Sequence, residues 1–247
     1  MVARAIASFR AQTYSNKWLL VYDSGETPVV PECFCFGSRE AVCRQQKWKR
    51  HTIGALRNAA NSLASHCDII AHWDSDDWSH PRRLEEQVAL LQATGKACVG
   101  YREVLFWDTR HGKNNSTGWK KIIDLPRNEA WLYSHGDQRY VLGTSMCYWR
   151  SAWESCPFDD AIHEDRRWWL KNAEKCLGNP SIGDAHPRMV CGIHGTNTEA
   201  YDRSVMLRSA PEWRPAPEWN SYCAMAMGAV PTLAAEETER ELREIVL

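Results

Sequence analysis

Residues 68–78 read DIIAHWDSDDW, a short apolar run followed by three carboxylates within four positions. An apolar run this short, bounded by polar residues, suits a buried strand better than a helix. Immediately upstream, Ile53, Leu56, Ala60 and Leu63 fall on one helical face. Downstream, Ser79 and Pro81 signal a helix start, and Leu84, Val88 and Leu91 form a stripe that ends near Gly95. Nearer the N-terminus, Ile6 and Phe9 share the face of a short helix, and Trp18 to Tyr22 form another apolar strand closed by Asp23, Ser24 and Gly25. This alternation predicts an α/β sheet, largely parallel in its first half, with helices on both faces. In such sheets ligands gather beyond the carboxyl ends of the strands, where Asp23 and Asp74 both fall.

The second half is less regular. ACVGYREVLFW (97–107) and YVLGTSMCYWR (140–150) read as strands, and the polar, Trp-containing segment 108–139 between them reads as a surface excursion. Pro211, Pro215 and Pro217 give 208–220 the look of an extended wrap, and AAEETERELREIVL (234–247) that of an amphipathic helix. The expected organisation is one domain over 1–207, followed by the wrap and the terminal helix over 208–247.

Lys and Arg number 30 against 31 Asp and Glu, so no global field draws the chain to nucleic acid or to an anionic membrane. The ten cysteines contain no C-x-x-C pair and read as buried free thiols of a reducing cytoplasm. Thirteen tryptophans serve equally as core filler or as sugar-stacking surface. With no signal-peptide core and no run of about 18 apolar residues, a soluble cytoplasmic protein without a transmembrane segment is expected.

Side chains of an extended chain alternate, so Asp74 and Asp76 converge on one side. Like charges so close disfavour each other's ionised form unless a cation lies between them, and a hard divalent ion with oxygen ligands removes that penalty. Capping of the following helix by Asp76 or Asp77 would account for one carboxylate, not three. A calcium loop would put Asp74, Asp76 and Glu85 at positions 1, 3 and 12, but Ser79 stands where glycine is required and Pro81 intrudes.

QTYSNKWLLVYDSGE (12–26), GALRNAANSLASHCDIIAHWDSDDWSHPRRLEEQVALL (54–91) and FDDAIHEDRRWWL (158–170) occur in the order typical of family 2 glycosyltransferases, which the chain resembles over roughly residues 3–200. The resemblance implies the Rossmann-like A-type glycosyltransferase (GT-A) fold, a nucleotide-diphosphate sugar donor, Mn²⁺ or Mg²⁺, and inverting transfer to an acceptor hydroxyl. It implies that Asp23 meets the nucleobase, that Arg57, Asp74 and Ser75 lie along the donor, and that Asp74 and Asp76 hold the metal. The Glu164–Asp165 pair would be catalytic, with Asp165 as the base. His194, in CGIHGTN, resembles the histidine that some members of the wider fold supply to the metal.

The acceptor stays open between a glycan, a lipid carrier, a protein and a modified nucleic acid base. Family members usually begin with a strand ending in a Pro-Thr-Tyr-Asn-like segment, whereas here Met1-Val2-Ala3 joins directly onto the first helix. The expectation is that the start is truncated, that another segment completes the sheet, or that the donor site is reduced. A catalytically reduced sugar-nucleotide-binding or partner subunit is therefore the alternative. A nucleotidyltransferase ranks lower, because no Gly-rich basic loop for a triphosphate is present.

Overall fold

The computed structural model describes residues 2–23, 41–45, 52–109, 128–161, 163–181, 187–194, 206 and 212–228. Helix α1 (Val2–Arg10) buries Ile6 and Phe9, and β1 (Leu19–Asp23) pairs in parallel with β2 (Ala41–Gln45). Helix α2 (Ile53–Leu63) is capped by Thr52, whose hydroxyl accepts from the Ala55 N–H at 3.2 Å. The decisive stretch gives β3 (Ile69–Ala71) and, after the carboxylates, the two-residue β4 (Trp78–Ser79). Helix α3 (Arg83–Thr94) ends on Gly95, whose φ of 63° is the left-handed conformation a C-terminal glycine supplies without strain.

The long β5 (Cys98–Asp108) organises the rest. Its first half lies between β7 (Cys147–Trp149) and β8 (Cys176–Pro180); its second half lies between β6 (Glu129–Ser134) and β9 (Met189–Ile193). Helices α4 (Arg150–Ser155) and α5 (Glu164–Asn172) connect β7 to β8. Strand β10 (Trp213–Pro215) extends the sheet beside β6, and α6 (Asn220–Gly228) follows.

The β1–β2 pair is parallel as expected, but the mostly parallel central sheet is corrected to a mixed one. Within the eight-stranded sheet only β8 and β9 run parallel to their neighbour β5; the β3–β7, β5–β7, β5–β6, β6–β10 and β4–β9 pairs are antiparallel. The cause lies in strands that the second half of the chain contributes: β7 inserts between β3 and β5, antiparallel to both. Two further expectations change there. The 140–150 run is not one strand: Gly143–Ser145 folds into a 3-10 turn before β7. The supposed surface excursion contains β6, whose Ala130, Trp131, Leu132 and Tyr133 are buried.

The core forms on both faces of β5. Val99 packs with Val88 and Leu91 of α3, and the adjacent Cys98, facing the other way, packs with Trp168 of α5. Farther along, Leu105 and Trp107 meet Cys223, Ala226 and Met227 of α6. At about 1.5–3 kcal/mol per fully buried large apolar side chain, these contacts dominate the stability of the sheet. The described part of 208–228 is thus built into the sheet, and the expected 234–247 helix lies outside the described residues. Among the described cysteines, Cys67, Cys98, Cys147, Cys156, Cys176, Cys191 and Cys223 are free thiols. No helix among the described residues is long and apolar enough to cross a membrane.

Candidate active site

The pairing of β3 continues one residue beyond Ala71, the His72 N–H donating to Met146 O at 2.8 Å. The His72 ring is buried, with Nδ1 2.6 Å from Gly143 O and Nε2 3.1 Å from the Tyr148 hydroxyl. A carbonyl can only accept, so the ring proton sits on Nδ1, and Tyr148 donates to Nε2 while accepting from Asn61 at 2.8 Å. Burial, with Arg57 nearby, holds this imidazole well below the ordinary histidine range. His72 is thus a neutral strut under the acidic loop.

Beyond that strut the chain turns. Asp76 Oδ2 lies 3.0 Å from His194 Nε2, at the end of β9. Asp74 Oδ1 lies 3.7 Å from Arg57 Nη2 of α2, while Ser75 is exposed between them. Burial, then the neighbouring Asp74, pushes the Asp76 carboxyl up. Asp77 does not cap the following helix, which has Arg82 at its N-cap position. It turns inward instead, accepting from the Gly192 N–H at 3.0 Å and from the Thr144 hydroxyl. Burial first, and then Asp76 and Asp74, pushes its carboxyl to about 8.

Arg57 joins this loop to a distant part of the chain, because its other nitrogen is ion-paired with Glu164 at the start of α5. Burial acts against the guanidinium charge, but Asp74, Glu164 and Asp165 together strengthen it. The next residue, Asn58, clasps the chain before α5: its amide donates to Phe158 O at 2.8 Å and accepts from Phe158 N at 3.0 Å. Asp165 follows Glu164 in the first turn of α5, its Oδ1 accepting from the Arg166 N–H at 2.7 Å. Asp74, Asp76, Arg57, Glu164, Asp165 and His194 therefore converge, although they come from four separate elements. Asp23 is buried at the end of β1, in the two-stranded sheet, whose β1 contacts the α2 helix that carries Arg57.

Several residues that hold this centre carry no sequence signal. Arg83 is fully buried, donating to Ser79 Oγ, His72 O and Thr144 O at 2.9, 3.0 and 3.1 Å, with its guanidinium 4.8 Å from the Trp73 ring. Arg4 of α1 reaches under the loop to Asp76 O at 2.8 Å and to Met227 O at 2.7 Å. On a helix, either arginine reads as an ordinary solvated charge.

The donor set fits a divalent ion that takes part of its shell from a ligand. An Asp oxygen and a His nitrogen lie side by side, and Asp74 and burial disfavour negative charge on Asp76, a cost that a cation removes. Among the described residues no three His, Cys, Asp or Glu side chains are grouped to hold a metal ion, so the Asp76 and His194 pair supplies part of a shell. Ions of the Mg²⁺ and Mn²⁺ type commonly complete their shells with phosphate oxygens and water.

Residues 1–152 match the model of glycosyl transferase family 2. Over 95 residues the chain is 30% identical to a protein named putative glycosyltransferase EpsE from Bacillus subtilis (strain 168), a match covering 37% of this chain and 34% of that one. A solved structure of S. aureus TarS 1-349 in complex with UDP superposes with a TM-score of 0.50, covering 78% of this chain and 56% of that chain at 12% identity. That likeness bears on the fold alone. The chain thus spans about a third of EpsE and little more than half of the TarS chain. Helix-covered sheet, acidic loop at a strand end and family match agree: the chain belongs to glycosyl transferase family 2 and has the GT-A α/β fold expected of it.

Proposed function

We propose that the chain transfers a sugar from a nucleotide-diphosphate donor to an acceptor hydroxyl in one inverting displacement assisted by a divalent ion. The observation that carries this reading is the convergence of the 74–76 loop with the start of α5 around the Arg57 guanidinium. An acid loop that can hold a diphosphate through a cation then lies beside a separate carboxylate able to take a proton.

Asp76 and His194 would hold Mn²⁺ or Mg²⁺, and Asp74, now turned to Arg57, would join them once the ion and the donor are bound. When bound, the ion neutralises charge on the diphosphate as the nucleoside diphosphate leaves. Arg57 and Ser75 border the same loop and would contact the donor. Asp23, at its strand end, is the candidate partner of the nucleobase. Asp165 would take the acceptor's proton as the acceptor oxygen attacks the anomeric carbon from the face opposite the diphosphate. The bond from that carbon to the phosphate oxygen breaks, and the configuration inverts. Glu164, paired with Arg57, would fix the start of α5 and so serve the catalytic pair by holding Asp165 in place.

Turnover of UDP- and GDP-sugars in the presence of Mn²⁺ tests the proposal. Release of nucleoside diphosphate that stops on chelation and returns with added Mn²⁺ is the expected result. Release of pyrophosphate would point to nucleotidyl transfer. Metal-dependent binding with no turnover across glycan, lipid-carrier and protein acceptors would mark a reduced, binding-only subunit.

A further inference from the structure

The 3-10 turn Gly143–Ser145 touches both halves of the centre. Gly143 O receives the His72 imidazole proton, Thr144 Oγ1 donates to Asp77, and Thr144 O accepts from Arg83. Ser145 anchors the turn from behind, its Oγ accepting from the Tyr101 N–H at 2.8 Å and its carbonyl accepting from Gln87 at 2.8 Å. The turn is therefore fixed to β5 and α3 and is poorly placed to yield.

On the other side it meets the proposed base. A methyl group built on Gly143 would stand 2.0 Å from Asp165 Oδ2, 2.6 Å from its Cγ and 2.7 Å from its Cβ. Rotation about the Asp165 Cα–Cβ bond relieves the first two contacts but leaves Cβ where it is, so α5 itself would have to shift. Gly143 has no positive φ, so alanine meets no backbone strain there. What position 143 excludes is a side chain against Asp165.

We propose that Gly143 is a positioning residue for the transfer: its bare Cα is the surface that fixes the Asp165 carboxylate relative to the metal-side loop. The inference rests on the reading of Asp165 as the base. A misplacement of about 1 Å in a reacting group can cost about a hundredfold in rate.

The test is Gly143→Ala, with kcat, donor KM and UDP–Mn²⁺ affinity measured on the folded protein. The expected result is a fall in kcat of roughly ten- to a hundredfold, with donor KM and UDP affinity within about twofold of the parent. A kcat within about twofold of the parent overturns the inference, as does a parallel loss of UDP affinity, which marks general distortion. A stability cycle needs no turnover: Gly143→Ala should lower the urea midpoint when residue 165 is Asp and leave it unchanged in the Asp165→Gly background. Should Gly143→Ala alone fail to fold, recovery of folding in the double variant supports the inference and continued unfolding overturns it. Intact turnover in Asp165→Asn would refute the base assignment itself, whatever Gly143→Ala does.

Discussion

Asp165→Asn is expected to lower kcat by about 10²–10⁴, the range a positioned general base contributes, while donor KM and thermal stability stay near those of the parent. The substitution is nearly isosteric, and its carbonyl oxygen can still accept from the Arg166 N–H, so the start of α5 keeps its hydrogen bond. What asparagine lacks is the capacity to take a proton from the acceptor hydroxyl. Steady-state kinetics with a saturating donor separate the cases. Loss confined to kcat supports a role in the chemical step, a rise in KM alone would make Asp165 a donor-binding residue, and unchanged kinetics would remove it from the mechanism.

The second large effect concerns stability. Arg57→Met is expected to destabilise the fold by about 3–5 kcal/mol, because it strands the Glu164 carboxyl, only 3% exposed, without its partner. Two further tests distinguish this from a simple packing loss. The double variant Arg57→Met/Glu164→Gln should recover most of the deficit, since no charge is then left buried.

The deficit should also depend on pH. In the parent, burial raises the Glu164 carboxyl and Arg57 opposes that rise; without Arg57, and with Asp165 and Asp74 still nearby, the rise is larger. An acid whose folded pKa is raised loses stability as pH climbs from its unfolded value to its folded one. The gap between variant and parent should therefore be smallest near pH 4 and widen toward neutrality. Urea midpoints at several pH values measure it, and a pH-independent gap would contradict the buried-charge account.

The first half of the fold was legible because its periodicities are clean. The stripe on α2 spans the residues expected, and Gly95 ends α3 as a C-terminal glycine should. The strand ahead of the carboxylates is where the apolar run put it. The second half misled for identifiable reasons. Gly143-Thr144-Ser145 sits inside an apolar run whose hydrophobicity suggested one continuous strand, and β6 adjoins a long polar segment that masks it.

The candidate site divides in the same way. Alternation along a strand predicted Asp74 and Asp76 together with Asp77 turned away; the loop does turn Asp77 into the interior, and it gives Asp74 and Asp76 the separate partners Arg57 and His194. Arg57 sits on the preceding helix and His194 lies 118 residues beyond Asp76, and only the family resemblance linked them to the loop. Gly143 was invisible because its contribution is the absence of a side chain, and Arg4 and Arg83 because an arginine on a helix shows its destination only after packing.

The central claim is that Asp76 grips a divalent ion that holds a donor's diphosphate at the end of β3. Calorimetric titration of UDP and GDP into the parent and into Asp76→Ala, each with Mn²⁺ and with chelator, tests it most directly. The account predicts binding of at least one of these nucleotides to the parent only when Mn²⁺ is present, and its loss in Asp76→Ala in a protein that remains folded. Equal affinity with and without the ion, or in the parent and the variant, would contradict it.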